Sequence, residues 1–486
     1  MADLGILSDI QNAQLNIGEL RDLNKALRAN AAGDFQKGSV GYPQQGVGYT
    51  GDLAPLVPQS IQGTLDSATF TLDHIVFWKL LAKNDVTSTL HESNRVNQHG
   101  MMDLDPFIAE GGVGPLSEAE YKRRVVQIKY LAEHIELTDV ATMVGITGPN
   151  RSALAQRTLN GTAAILGKLE RALFSADSDL SPLHFDGLYK QIRSGAPNNY
   201  KDKRGAPTSP QELMERLAMT GASPNFGFPT HVFVEPAVFS ALSQIATSYG
   251  RHTEMASANG AQVVSFGNSE IYINGPTGRV RVLPVPLMAP PRQPNTQALG
   301  AKAPTLNLGM LTPSVVAGSN PLFTAGDAGD YWYVLVAVGD KGVSAPITLG
   351  AAASIGAGGK FRLDVDDSGA PTSGDNSIRF YRLFRSPKNA ASASAASWCG
   401  YFSRNTSGAG GGTRIEDTNA VIPNTSRVFS VQLTPDVMRW NKLLDFTRRP
   451  LAQVQTTVPF LLLLFGALDV MVPEKNDIMD NVSLTL

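Results

Sequence analysis

Residues 150–174, NRSALAQRTLNGTAAILGKLERALF, constrain the fold more than any other stretch. Ala155, Leu159, Thr162, Leu166, Leu169 and Leu173 recur at alternating spacings of four and three, which sets them on one stripe of a helix. Arg151, Gln156, Arg157, Asn160, Lys168 and Arg171 fall off that stripe and can face water. Asn150 or Ser152 can cap the first turn. At about 1.5 Å per residue the helix is roughly 37 Å long. Gly161 and Gly167 each cost about 1 kcal/mol relative to Ala. A helix carrying both needs packing along its length, and the expectation is a strut laid across a sheet.

What surrounds the strut is bounded by length and composition. A chain of 486 residues predicts two or three domains. With 42% hydrophobic and 17% charged residues there is enough apolar material for sizeable cores. The net charge of −2 carries no basic excess of the kind that direct sequence-specific nucleic-acid binding asks for. A single cysteine, Cys399, excludes an intrachain disulfide framework and a Cys-rich zinc site. The opening MADLGILSDIQ lacks a basic leader, so no secretory signal is expected. The longest apolar run, near 458–472, is interrupted by Asp469 and is shorter than the roughly 20 residues a bilayer span needs. A soluble product of a reducing cytoplasm is the expectation.

In chain order, residues 4–30 hold a helical pattern at Ile10, Ala13, Ile17, Leu20 and Leu27. It suits either a helix packed on its own domain or a partner-binding arm. Residues 31–63 are dense in Gly, Pro and Gln, yet carry Tyr42, Tyr49, Leu53, Leu56 and Val57. An extended arm lying across another surface explains those residues better than a free linker. Residues 71–81 form a short apolar segment anchored by Phe77 and Trp78, and 86–90 alternate as a strand. Residues 92–118 are irregular, and 122–137 alternate again. A strand, a long excursion and a returning strand make a large projecting hairpin, which a neighbouring subunit would cover.

Beyond the strut, a loop-rich stretch carries a basic tip at Lys201, Lys203 and Arg204, read as solvated. A helix over 210–220 capped by Ser209, a strand over 230–234, a helix from Pro236 to 245, and strands at 270–274 and 279–285 compose a small α/β domain. Residues 288–307 mark a boundary. Strands at 330–338, 359–365, 377–385 and 397–404 then predict an inserted β-sandwich over about 305–430. Residues 434–446 read as a helix. Residues 459–472, PFLLLLFGALDVMV, read as a central strand buried on both faces.

Catalytic signatures are missing. There is no HExxH and no GxSxG motif. The seven histidines (74, 91, 99, 134, 184, 231, 252) are scattered singly, without metal-like spacing. GAGGKF at 356–361 imitates a phosphate loop, but Phe361 stands where a Ser or Thr must bind magnesium. Asp364, Asp366 and Asp367 suit a polar turn better than a cation site. Asn405 and Asn424 begin glycosylation sequons, which mean little without a secretory signal. No catalytic, cofactor-binding or metal-ligating residue is assigned, and a structural role is expected over an enzyme.

This order of parts resembles the major capsid proteins of tailed bacteriophages, the Hong Kong 97-type fold. The resemblance implies an α+β fold. Residues 1–63 would be the N-terminal helix and N-arm. Residues 64–179 would be the peripheral domain, with the E-loop at about 87–137 and the spine helix at 150–174. The axial domain would span 180–290, carrying THVFVEPAVFSAL and INGPTGRVRVLP, and 431–486 would return to the axial and peripheral domains. The tail FGALDVMVPEKNDIMDNVSL is similar to strands that close the peripheral domain. The insert, with YWYVLVAVGDKGVSAP, FYRLFRSPKN and IEDTN, looks like an immunoglobulin or fibronectin type III domain, which implies an outward-facing place on a virion.

The family likeness further implies hexamers and pentamers of this chain and nonspecific contact with packaged double-stranded DNA. It implies portal and decoration proteins as partners, no membrane, and assembly in the host bacterial cytoplasm into a virion. Only about 30 residues precede the arm, so a separate scaffolding protein is expected. Some members crosslink through an E-loop lysine. Lys122 and Lys129 lie near that region, but no partner Asn can be assigned and no crosslink is expected. A tail or baseplate protein with an appended sandwich, and a carbohydrate-active enzyme with a binding module, are the competing classes.

Overall fold

In the computed structural model the strut is a helix at Ala153–Ser175, opened by the Ser152 hydroxyl, which accepts from the Ala155 N–H. The structure describes residue 69 and residues 71–485, apart from 101–104, 106, 115, 117, 144–151, 250–254, 259–260, 265–270, 276–277, 319–322 and 454–455. The expected helix of 4–30 and arm of 31–63 therefore lie outside the described residues, as do Asn150 and His252.

The buried side of the strut differs from the expected stripe. Leu169 and Leu173 are buried as expected, but Ala155 and Leu159 are exposed, and Gly161 and Ile165 take the inward positions. The reason is contact rather than hydrophobicity. A Cβ on Gly161 would lie 2.7 Å from Leu462 Cδ1 and nearer still to Ile135 Cδ1. The glycine lets the helix settle directly onto the sheet, and that turns the inner face away from Leu159.

That sheet has four strands in the order Lys83–Asp85, Met438–Pro450, Thr457–Val470 and Lys129–Thr138. Thr457–Val470 is central and mostly buried, as its apolar run predicts. Met438–Pro450 corrects the helix expected over 434–446. The chain turns at Thr434, whose carbonyl accepts from the Val437 N–H, and then pairs residue by residue with the central strand, from Met438↔Val470 onward. Met438 and Trp440 point inward at a spacing of two. Tertiary pairing with so apolar a neighbour overrides the helical composition of WNKLL. The strand expected over 86–90 is also corrected, because strands run at Lys83–Asp85 and Leu90–Gln98 with a bend between.

A second sheet has six strands in the order Tyr200–Asp202, Asp477–Ser483, Thr425–Val431, His231–Val234, Gly278–Pro284 and Ile271–Gly275. The helices Pro210–Gly221, capped by Ser209, and Pro236–Tyr249 cover one face, with Leu213, Leu217, Val238 and Leu242 in its core. The other face meets the end of the strut. Phe174 lies 5.0 Å from Phe77, 5.7 Å from Phe233 and 5.4 Å from Phe429, ring centre to ring centre. The strut thus bridges both sheets. The last strand, Asp477–Ser483, lies in this second sheet, between Tyr200–Asp202 and Thr425–Val431.

The insert holds two facing sheets and a short two-stranded one, Gly329–Tyr331 with Ala353–Ile355. Leu311–Ala317, Gly359–Val365 and Thr413–Asp417 form one facing sheet. Ile347–Thr348, Tyr333–Val338, Phe380–Arg385 and Ser397–Ser403 form the other. Tyr333 stacks on Phe361 at 3.8 Å between them, among Leu335, Leu363, Leu383 and Ile415. Thr425–Val431, read in part as the end of the insert through 430, belongs instead to the six-stranded sheet, so the insert ends near 424.

Candidate assembly surface

Leu90–Gln98 and Glu120–Gln127 pair as an antiparallel hairpin, from Leu90↔Gln127 to Gln98↔Glu120, and no residue of either strand is buried. The run expected as one returning strand over 122–137 is divided. Its first part closes this hairpin, and Lys129–Thr138 enters the four-stranded sheet. Ile128, fully buried, is the pivot between them.

The register assigns the two faces. His91, Ser93 and Arg95 share one face with Lys122, Arg124 and Val126. That face turns toward the rest of the chain and is latched by polar groups. Arg95 donates to both Glu474 carboxylate oxygens, at 2.8 and 2.9 Å, and to the Met471 carbonyl at 3.1 Å. Arg124 donates to the Gln191 side chain at 2.5 Å, and its Nε lies 3.1 Å from the buried Asp469 carboxylate. Burial pushes the Arg124 guanidinium down, and Asp469 pulls it back up. Arg439 meets His91 at 3.0 Å.

The opposite face carries Leu90, Val96, Tyr121 and Val125, all exposed, with Tyr121 71% exposed. The loop beyond it adds Phe107, Val113 and Leu116, each more than four-fifths exposed. The same face carries the exposed Glu92–Arg123 pair with Asn94 and Gln127, so the hairpin turns a mixed face to solvent, with four large apolar side chains among its polar groups. Apolar surface arranged this way marks a partner site. Burying each such side chain against a neighbour would contribute about 1.5–3 kcal/mol. The alternation over 122–137 was legible in the sequence, but it marked the face of Val126, not the outward face of Tyr121 and Val125. The latch was not legible, because its partners are distant in the chain: Gln191 lies 67 residues from Arg124, and Glu474 and Arg439 lie more than 300 residues from Arg95 and His91.

The candidate chemical residues are absorbed into structure. Lys201 and Lys203 both pair with Glu212 at 2.6 Å, and Arg204 pairs with Asp327 at 3.1 Å, which corrects the reading of a solvated basic tip. Asp367 is buried and accepts from the Tyr381 hydroxyl and the Thr413 N–H and hydroxyl; Asp364 pairs with Arg414. Phe361 of the imitation phosphate loop is a core residue. His74 bonds Thr71, His134 approaches Glu136, and His231 meets Thr230. Among the described residues no group of three His, Cys, Asp or Glu side chains could hold a metal ion. No described helix is long and apolar enough to cross a membrane. Cys399 is buried and unpaired. Asn405 spends its side chain on the Arg414 N–H and carbonyl. Lys122 pairs with Glu120 and Lys129 donates to the Pro182 carbonyl.

One residue escaped the sequence reading altogether. Glu170, buried in the strut, accepts from the backbone N–H groups of Val76, Phe77 and Trp78 at 3.0, 2.7 and 2.9 Å. It fixes the segment that leads out to the N-terminal part of the chain. Burial pushes its carboxyl above the ordinary range, against the pull of those three donors.

No protein-family model matches the chain. A protein of Enterococcus phage phiEF24C is 24% identical over 449 residues, covering 87% of this chain and 89% of that one. The major capsid protein of Staphylococcus phage K is 23% identical over 475 residues, covering 91% and 94%. Among solved structures, the capsid of the cyanophage P-SCSP1u overlaps loosely, at 10% identity and a TM-score of 0.39, over 89% of this chain and 95% of that one. Across some nine-tenths of its length, then, this chain is similar in sequence to the major capsid proteins of bacteriophages.

Proposed function

We propose that this chain forms the capsid of a tailed phage, assembling into the icosahedral head around double-stranded DNA. The observation that carries the reading is the projecting hairpin, none of whose strand residues is buried and whose outward face and loop expose Leu90, Val96, Tyr121, Val125, Phe107 and Val113. Sequence likeness to phage major capsid proteins along almost the whole chain supports the same reading. On the Hong Kong 97-type plan, residues 1–63 are the N-arm and 87–137 the E-loop. The strut is the spine helix, 64–179 the peripheral domain, 180–290 the axial domain, and 431–486 the return. The insert, to about 424, is an immunoglobulin or fibronectin III-like domain facing outward, a reading its two facing sheets support.

The protein acts as a structural subunit rather than an enzyme. Hexamers and pentamers of the chain make the shell in the host bacterial cytoplasm, with a scaffolding protein, a portal and decoration proteins as partners. DNA contact is nonspecific, and a net charge of −2 suits a shell that must not grip phosphate with steep salt dependence. Electron microscopy of the full chain co-expressed with its scaffolding partner tests this. Closed icosahedral shells are expected. Tubes or rings would make it a tail or baseplate part, and a monomer at every concentration would overturn assembly altogether.

A further inference from the structure

A cleft of about 390 Å³ separates the strut from the insert, and its walls are rich in cations. Lys129, Lys168 and Arg171 line it from one side, and Arg379, Arg382 and Tyr401 from the insert. Three of these cations have partners: Lys168 bonds Glu133 at 2.5 Å, Lys129 the Pro182 carbonyl at 2.6 Å, and Arg379 pairs with Asp340. Arg171 and Arg382 have no carboxylate or side-chain hydrogen-bond partner among the described residues, and the Nε of each is buried. Arg382 lies 6.0 Å from the centre of the Tyr401 ring, at the outer reach of a cation–π contact, which leaves its N–H donors unused. The two guanidiniums also act on each other. Burial first, and the Arg382 charge after it, press Arg171 below its ordinary value, with Tyr401 opposing.

Two like charges half-buried together without a counter-ion are costly, and a planar guanidinium fork matches a tetrahedral oxyanion. We propose that this cleft binds a small phosphate-class oxyanion between Arg171 and Arg382. The space exceeds that of a bare ion, which leaves room for an organic group beside Tyr401.

The test is calorimetric titration of the full chain with inorganic phosphate at matched ionic strength, with acetate as the comparison anion. One-site saturable binding is expected, weakened about tenfold or more by Arg171→Gln or Arg382→Gln, since a charged hydrogen bond contributes that much. Arg362→Gln, which instead removes a partner of Glu416, should bind as the parent does. Equal affinity in all variants, or acetate bound as tightly as phosphate, overturns the assignment. A second measurement needs no variant. Selenate diffused into crystals of the parent chain should give an anomalous peak within hydrogen-bond reach of both guanidiniums, and a peak at neither overturns the site.

Discussion

Glu170 occupies a mid-helix position that nothing in its local sequence distinguishes, yet it satisfies three backbone donors from a segment more than 90 residues earlier. Glu170→Ala leaves those N–H groups without an acceptor in a site too tight for easy rehydration. The expected loss is about 3 kcal/mol, seen as a lower denaturant midpoint at unchanged slope. Glu170→Gln, which keeps one acceptor oxygen, should lose less. Glu212 is tuned the other way. Burial pushes its carboxyl up, but hydrogen bonds from Lys201 and Lys203 outweigh that and hold it below the ordinary carboxylate range. A carboxylate depressed in the folded state contributes stability that is present above its unfolded pKa and lost as pH falls through its folded pKa. Glu212→Gln should therefore lower the denaturant midpoint at neutral pH, and its difference from the parent should shrink steadily as the titration is carried into acid below pH about 4.

At the scale of elements, the projecting hairpin makes the sharpest prediction. Its fold depends on backbone cross-strand pairing, in which Tyr121 stands opposite Val96 and Val125 opposite Glu92, and on the Arg95, Arg124 and Arg439 latch, which uses neither side chain. Tyr121→Asp with Val125→Asp should leave the protomer's thermal midpoint nearly unchanged and abolish shells in sedimentation and electron micrographs. Shells at parental yield would mean that the outward face touches no neighbour. Local pattern made the strands legible: alternation over 122–137, with Val126, Ile128 and Tyr130 against Gln127 and Lys129, and the buried run at 459–472 are period-of-two and continuous apolar signals. Residues 434–446 failed because their helical composition competes with a partner strand that only the folded chain supplies. The inner face of the strut failed in its first half because the sequence counts Gly161 as a cost, whereas the structure uses it as the point of closest approach to Ile135 and Leu462. Ion pairs such as Arg95 with Glu474 carry no local signature at all.

For the whole molecule, the insert poses the question of where one folding unit ends. The segment before its lead-in and the segment at its exit come together: Ala289 and Pro290 line the same small cleft as Val421 and Thr425. Its root is fastened by Arg427, which pairs with Asp480 at 3.0 Å and stacks 3.8 Å from the Tyr189 ring and 5.8 Å from that of Trp398. A deletion that joins 290 to 425 with a short flexible linker removes the sandwich, its own core and the 291–304 lead-in that bonds to it through Arg292, Leu299 and Lys302. Extending the deletion through 430 takes Val428 and Phe429 with it, side chains buried in the separate cores on the two faces of the six-stranded sheet. Losing a large buried side chain costs about 2–5 kcal/mol, and losing a central strand removes several at once, against a total stability of roughly 5–15 kcal/mol. The shorter deletion should give soluble protomers and shells stripped of surface density in electron micrographs, whereas the longer one should give insoluble chain. Insoluble product from both would mean that the root contacts of Arg427 and Trp398 are part of the main core, and that the sandwich folds with the body as one cooperative unit.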